Sequence, residues 1–202
     1  LGGGTLEAAE AVDSGEEVDA GEVINLLGGL VDKSLVNVVR ESGCETRYRM
    51  LEIIRQYAHE KLVESGQSAA VCDRHLQYYV DLAERLEDKI RGRAGDQVRP
   101  RLVSELENIR LALAWSLEGA DQPGWNPEPG LRLVAALHWF WIINTLWEEE
   151  CPWLVRLLAL EAQSRGDQPA REARARIRAR ALFTASYMTE LIGEFNQARE
   201  MI

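Results

Sequence analysis

Three histidines, His59, His75 and His138, are the first residues in this chain with the chemistry for proton transfer or metal binding. They stand far apart, and none has a Cys or a carboxylate at ligand spacing, so they read as ordinary histidines. Gly2-Gly3-Gly4 could open a phosphate-cradling loop, but no strand precedes it and no Lys-Ser/Thr pair follows. Glu148, Glu149 and Glu150 could hold a divalent cation. Their place just before Cys151-Pro152 suits the first turn of a helix better. The macrodipole favours negative charge there, and proline's missing amide proton is not needed. Cys44, Cys72 and Cys151 are scattered and odd in number, which argues against a disulfide framework and for a reducing, cytoplasmic setting. The chain is therefore expected to carry no catalytic residue, no metal site and no cofactor-binding residue of its own.

Two clusters could bind a partner. In "REARARIRAR", Arg171, Arg174 and Arg178 share a helical face and could grip an acidic surface; a solvated helix face is the bland alternative. Trp139, Phe140, Trp141, Trp147 and Trp153 crowd one short region. They can form a core between helices or line a pocket. Trp141 and Trp147 cannot face the same way as Trp139 without a wide apolar face, so they are the candidates for partner-facing aromatic surface.

The elements that must position these residues follow from periodicity. The composition, 46% hydrophobic and 28% charged, is that of a soluble protein. "TLEAAEAV" predicts a short helix with Thr5 as N-cap. Val23, Leu26, Leu27, Leu30 and Val31 predict the apolar face of a second helix. "SLVNVV" and "RYRM" predict two strands joined by the turn "RESGCET". A helix from Leu51 to about Glu64, with Leu51, Ile54, Ala58 and Leu62 on one side, ends at Ser65-Gly66. Two helices feeding a β-hairpin is the plan of a winged-helix domain, here lacking a usual first helix.

Beyond Gly66 every pattern is helical. One long helix runs through Val71, His75, Tyr78, Leu82 and Leu86. Another carries Leu102, Leu106, Ile109, Leu113 and Leu117. After the Pro/Gly loop "ADQPGWNPEPG" come helices at Leu131–Leu146, near Glu149–Ser164, and from about Pro169 to Ile192, with a further start at Phe195. The apolar run Leu131–Trp147 carries Arg132, His138 and Asn144 and predicts a buried helix, not a membrane span. The fold class expected is mainly α: a winged-helix-like domain over residues 1–66 with a small hairpin, then an antiparallel helical array over 67–202. "ARALFTASYMTELIGEFNQAREMI" is similar to a tetratricopeptide repeat cut in its second helix, with Leu182, Gly193, Phe195 and Ala198 at contact positions. With no Met at Leu1 and a helical pattern running to Ile202, the chain is expected to be a piece of a longer protein.

Charge weighs against a duplex partner. The net charge is −10 and the pI about 4.9. Residues 1–66 hold 13 acidic and 6 basic residues, net −7. The helix before the hairpin carries Glu22, Asn25 and Asp32 and no base before Lys33. On the wing, Arg40 and Arg47 are offset by Glu41 and Glu45. A groove reader neutralises several phosphates, so direct nucleic-acid binding is not expected.

"TLEAAEAV", "LLGGLVDKSLV", "RYRMLEIIRQYAHEKL", "ELENIRLALAWSLE" and "GLRLVAALHWFW", in this order, resemble the middle of bacterial STAND-class signal-transduction ATPases, closest to LuxR-type and SARP-type transcriptional regulators. The resemblance spans nearly the whole chain and is most specific over Leu27–Leu62. It implies a winged helix and a tetratricopeptide-like sensor array that follow a nucleotide-binding module in the same polypeptide. ATP or ADP would bind that module, and an inducer or protein partner would bind the array. The family's Met-His-Asp motif, whose His contacts bound ADP, falls on Met50, Leu51 and Glu52. Leu51 cannot donate a hydrogen bond to phosphate, so a latch at this junction would work by packing or through Glu52. The bland alternative places Met50 and Leu51 in the core and pairs Glu52 with Arg55 or Gln56. Gly4 also departs from the family, which usually has an aromatic there. The resemblance implies a regulatory, protein-interacting fragment that hydrolyses no nucleotide itself. The alternatives are a plain tetratricopeptide-like scaffold and a DNA-binding winged-helix regulator.

Overall fold

Strand β1 is only Gly4–Thr5, yet it completes a sheet: it pairs antiparallel with β3 (Arg47–Met50), which pairs antiparallel with β2 (Val36–Val39). The order is β1-β3-β2, with Thr5 opposite Arg47 and Val38 opposite Tyr48. The computed structural model describes residues 3–15, 18–40, 45–118, 120, 125–163 and 171–200; side chains at 147, 149, 150, 163, 171, 173, 174 and 194–200 lie outside that description. The wing tip, including Glu41 and Cys44, also lies outside it.

Between β1 and β2 run α1 (Leu6–Asp13) and α2 (Ala20–Asp32). Thr5 caps α1 as expected, its hydroxyl accepting from the Ala8 amide at 3.2 Å. Ala8, Val12, Val23 and Val36 are buried in this unit. The apolar face expected on α2 is only partly covered: Val23 is buried, but Leu26 is 55% exposed. Ser34, at φ 58, makes the tight turn from α2 into β2. After β3 comes α3 (Glu52–Glu64), which has no buried residue. Gly66, at φ +74, ends it in the left-handed conformation that glycine adopts without strain.

The remaining helices are α4 (Ser68–Ile90), α5 (Gly95–Ser104), α6 (Leu106–Leu117), α7 (Glu128–Ala136), α8 (His138–Ile143), α9 (Trp147–Gln163) and α10 (Arg171–Glu200). The chain forms two compact units: residues 1–78 with 103–112, and residues 79–102 with 113–202. In the second unit α7, α9 and α10 pack on one another. Leu133, Val134, Leu137, Phe140, Trp141, Leu154 and Leu157 are fully buried, each worth roughly 1.5–3 kcal/mol of transfer free energy. A Cβ at Gly130 would lie 2.6 Å from Ser116 Oγ and 3.1 Å from Leu157, so only glycine lets α7 approach its neighbours this closely.

Four expectations are corrected. The helix expected across Leu102–Leu117 breaks at Glu105, where the carboxylate turns inward. The helix expected over Leu131–Leu146 breaks at Leu137, where φ −92 and ψ 9 tighten the chain between α7 and α8. Pro152 lies beyond the first turn of α9, which begins at Trp147. The turn expected near Gly193, dividing two repeat helices, does not form: α10 is one helix of 30 residues through it. A single glycine costs roughly 1 kcal/mol in a helix and does not by itself end one.

Candidate functional site

The strand-to-helix junction is built on a buried charge. Arg47 opens β3 in register with Thr5 and turns inward, with its side chain 11% exposed. Its guanidinium pairs with the Glu105 carboxylate, donates to the Gly3 carbonyl at 2.9 Å and reaches Ser104 Oγ at 3.3 Å. Asn108 donates to the same Gly3 carbonyl at 2.9 Å and to Glu105 Oε2 at 2.7 Å. Glu105 and Asn108 are buried, so the charges face each other and not water. Arg47 therefore does not offer its charge to a phosphate from the wing, as the sequence suggested. Alternation along β3 puts Arg47 and Arg49 on the side opposite Tyr48 and Met50, and a local pattern of this kind does not reveal a carboxylate 58 residues away. One signal was available: Glu105 stands three residues after Leu102 and four before Ile109, on the buried stripe itself.

Beyond Arg47 the chain turns outward. Met50 and Leu51 are exposed, so the bland alternative that placed them in the core does not hold for these two residues. Leu51 is the N-cap residue of α3, extended at φ −63 and ψ 145, and its side chain makes no capping bond. Glu52 accepts from Arg55 at 2.5 and 2.8 Å and from Gln56 at 3.0 Å. The Arg55 hydrogen bond, then the Gln56 one, lowers the Glu52 pKa to about 2. Along α3 the exposed side chains include Ile53, Tyr57 and Val63, with Ile53 80% exposed. On α2, Ile24, Leu26, Glu22 and Asn25 are exposed. α2 thus presents apolar and acidic surface with no cation, while α3 presents apolar surface beside Arg55 and Lys61, which pair with Glu52 and Glu64.

The other candidate residues separate. Trp141 is fully buried and cannot meet a partner; it belongs to the core with Phe140, whose ring centroid is 5.1 Å away. The Trp147, Arg171 and Arg174 side chains lie outside the described residues. Arg178 pairs with Glu161 at 2.5 Å within its own unit and does not present a free charge. Aromatic surface does remain, but on α8 and α10: His138 lies 4.9 Å from Trp139 and 5.5 Å from both Phe183 and Tyr187, and Phe183 is exposed. Arg91 stacks on Trp139 at 4.3 Å. Among the described residues no group of His, Cys, Asp and Glu could hold a metal ion, and no helix is long and apolar enough to cross a membrane.

Both packed histidines are held neutral. Burial pushes His75 down to about 4, and burial followed by the Arg180 charge lowers His138. An unfolded histidine titrates near 6.5, so between about pH 6.5 and 4 the unfolded chain binds the extra proton. Stability is then full above pH 6.5 and falls as pH drops towards 4, by up to about 3 kcal/mol for His75. Urea titrations across this range should show that slope in the native chain, and His75→Gln should flatten much of it.

Two helices leading into a β1-β3-β2 sheet through a β2-β3 wing make residues 3–63 a winged helix-turn-helix domain, and these residues match that domain family. Over 162 residues, 78% of its length, the chain is 37% identical to "Putative HTH-type transcriptional regulator Rv0890c" of Mycobacterium tuberculosis, and equally to its Mycobacterium bovis counterpart, "Putative HTH-type transcriptional regulator Mb0914c". It spans 17% of the length of these relatives. A shorter match, 40% identical over 78 residues, covers 38% of the chain and 20% of "Uncharacterized protein Rv0894" of Mycobacterium tuberculosis. No solved structure gives a significant match. The names of the two HTH-type relatives describe transcriptional regulators and mention neither an ATPase nor a repeat array.

Proposed function

We propose that this chain is the winged-helix and helical-array region of a cytoplasmic transcriptional regulator, and that its winged helix acts by contacting protein. In this reading the partner is a STAND-type nucleotide-binding module of a longer polypeptide. The winged helix is the lever that module moves between ADP and ATP states, and the array takes an inducer or protein partner. The observation that carries the reading is α3: a helix of 13 residues with none buried and with Ile53, Tyr57 and Val63 in solvent. Burying those side chains against protein would return about 25 cal/mol per Å² of apolar area. A switch needs contacts that differ between its two states. In a longer protein containing this chain, hydrogen exchange along α3 should therefore differ between the ADP-bound and ATP-bound forms. Equal exchange in both forms would remove the lever role.

A second reading has its own support. The fold puts α2 where a winged helix carries its groove-reading helix, and the relatives are named as HTH-type regulators. In that reading residues 3–63 bind the duplex directly. A plain scaffold of helical repeats has no such support.

A further inference from the structure

We propose that α10 carries a self-complementary face, and that a second copy of this chain docks on it with the two α10 helices antiparallel about Phe183. One side of α10 faces its own unit, where Ala181, Thr184 and Met188 are buried. The opposite side is open: Ala179, Leu182, Phe183 and Ser186 are exposed, Phe183 by 61%. Phe183 stacks on the half-buried Tyr187 with ring centroids 6.3 Å apart, and Tyr187 lies 6.3 Å from Trp139 of α8. The three rings form one continuous surface within the second compact unit. Aromatic residues are enriched at protein interfaces, where they supply large contact area at little cost in conformational freedom.

The charges on this side say what covers it. Arg176 stands seven residues before Phe183, and Glu190 seven after. Seven residues are about two helical turns, so the three fall on one line, each charge about 10 Å along the axis from the ring. Both charged side chains are exposed, and among the described residues neither has a hydrogen-bond or ion-pair partner. Arg180, in contrast, already pairs with Glu87 of α4. A two-fold axis through Phe183, at right angles to the helix, brings Arg176 of each copy opposite Glu190 of the other. The same operation sets Tyr187 opposite Ala179 and Arg180 opposite Ser186, so each long side chain meets a short one. A parallel pairing would set Arg176 against Arg176 and Glu190 against Glu190, which repels. A partner of one charge sign would satisfy one end of the line and oppose the other, whereas a second copy matches both ends by symmetry. The face lies on the helical array, so the proposal holds whichever partner the winged helix takes.

Sedimentation equilibrium of the 202-residue chain from about 1 to 300 µM should show monomer and dimer and no larger species, since one helix face per copy is a small contact that closes on itself. Arg176→Glu and Glu190→Arg, each checked for native circular dichroism, should each weaken the dimer by about tenfold or more, because each turns two attracting pairs into two repelling ones. The two substitutions move the net charge in opposite directions, so a general charge effect cannot weaken both. Mixed in equal amounts, the two variants should pair with each other at about the native affinity, because every Glu then faces an Arg. Phe183→Glu should abolish the dimer. The charge variants lie on the exposed side, so a folding defect in Phe183→Glu leaves them informative. A monomer at every concentration overturns the proposal, as does association that grows beyond two copies. Native affinity in both single charge variants, a mixture that fails to pair, or a dimer that survives Phe183→Glu in a folded chain also overturns it.

Discussion

Replacing Arg47 by Ala lowers the unfolding free energy of this chain by about 3–5 kcal/mol, the cost of leaving a buried carboxylate without its partner. Glu105 would keep its charge in a site where it is 3% exposed, having lost the guanidinium that faces it while Asn108 still donates to it. Glu105→Ala should cost a similar amount, because it strands the Arg47 guanidinium beside Gly3. The double variant Arg47→Met, Glu105→Leu removes both charges and keeps most of the volume. It should recover most of the loss, since apolar replacement of a buried pair is often neutral or stabilising. The Gly3 carbonyl would keep its bond from Asn108, so recovery need not be complete. Urea denaturation of the four proteins gives the coupling energy directly. Additive losses in the double variant, or an Arg47→Ala cost below about 1 kcal/mol, would show that the pair is surface-like.

The second large effect lies in the other unit. Trp141→Ala should cost about 3–5 kcal/mol, because the indole is fully enclosed and its removal leaves a cavity. Trp141→Phe should cost far less than its lost area implies. The indole N–H is buried with no hydrogen-bond partner among the described residues, and an unsatisfied donor costs roughly 1–3 kcal/mol. Deleting that donor offsets part of the lost contact. Thermal unfolding monitored by circular dichroism separates the two variants. Equal destabilisation by Phe and Ala would mean the indole nitrogen is satisfied in solution. A Trp141→Ala protein as stable as the native one would mean the side chain is not in the core.

The pattern of what could be read beforehand has a physical basis. Local chemistry was legible. Thr5 had the hydroxyl and spacing of an N-cap and serves as one, and the β-branched run at Val36–Val39 forms its strand. Features that depend on a distant partner were not. β1 has two residues, too few for any periodicity, and exists only because β3 pairs with it. The break at Glu105 needs Arg47, 58 residues away in sequence, to make an inward carboxylate favourable. Sequence periodicity assigned α3 a core side because Leu51, Ile54, Ala58 and Leu62 fall on one face. The fold leaves Leu51 exposed and the rest half-covered, since nothing among the described residues lies over that helix closely enough to bury it. The aromatic cluster divided in the same way: density of Trp signalled burial somewhere, but only packing decided that Trp141 is core while Phe183, unremarked in sequence, is exposed. The junction residues Met50, Leu51 and Glu52 do lie together where β3 meets α3, with Glu52 satisfied by Arg55 and Gln56.

The role proposed for this winged helix is to contact protein and not to hold DNA by its own charge. It is tested most directly by titrating the chain into a fluorescent random-sequence duplex at several salt concentrations from about 50 to 200 mM. Each neutralised phosphate contributes a slope of about −0.9 in log affinity against log salt. An acidic α2 and a buried Arg47 predict weak or undetectable binding at every salt concentration. Tight binding that falls steeply with salt, with a slope of several phosphates, would contradict the account and install the DNA-reading alternative in its place.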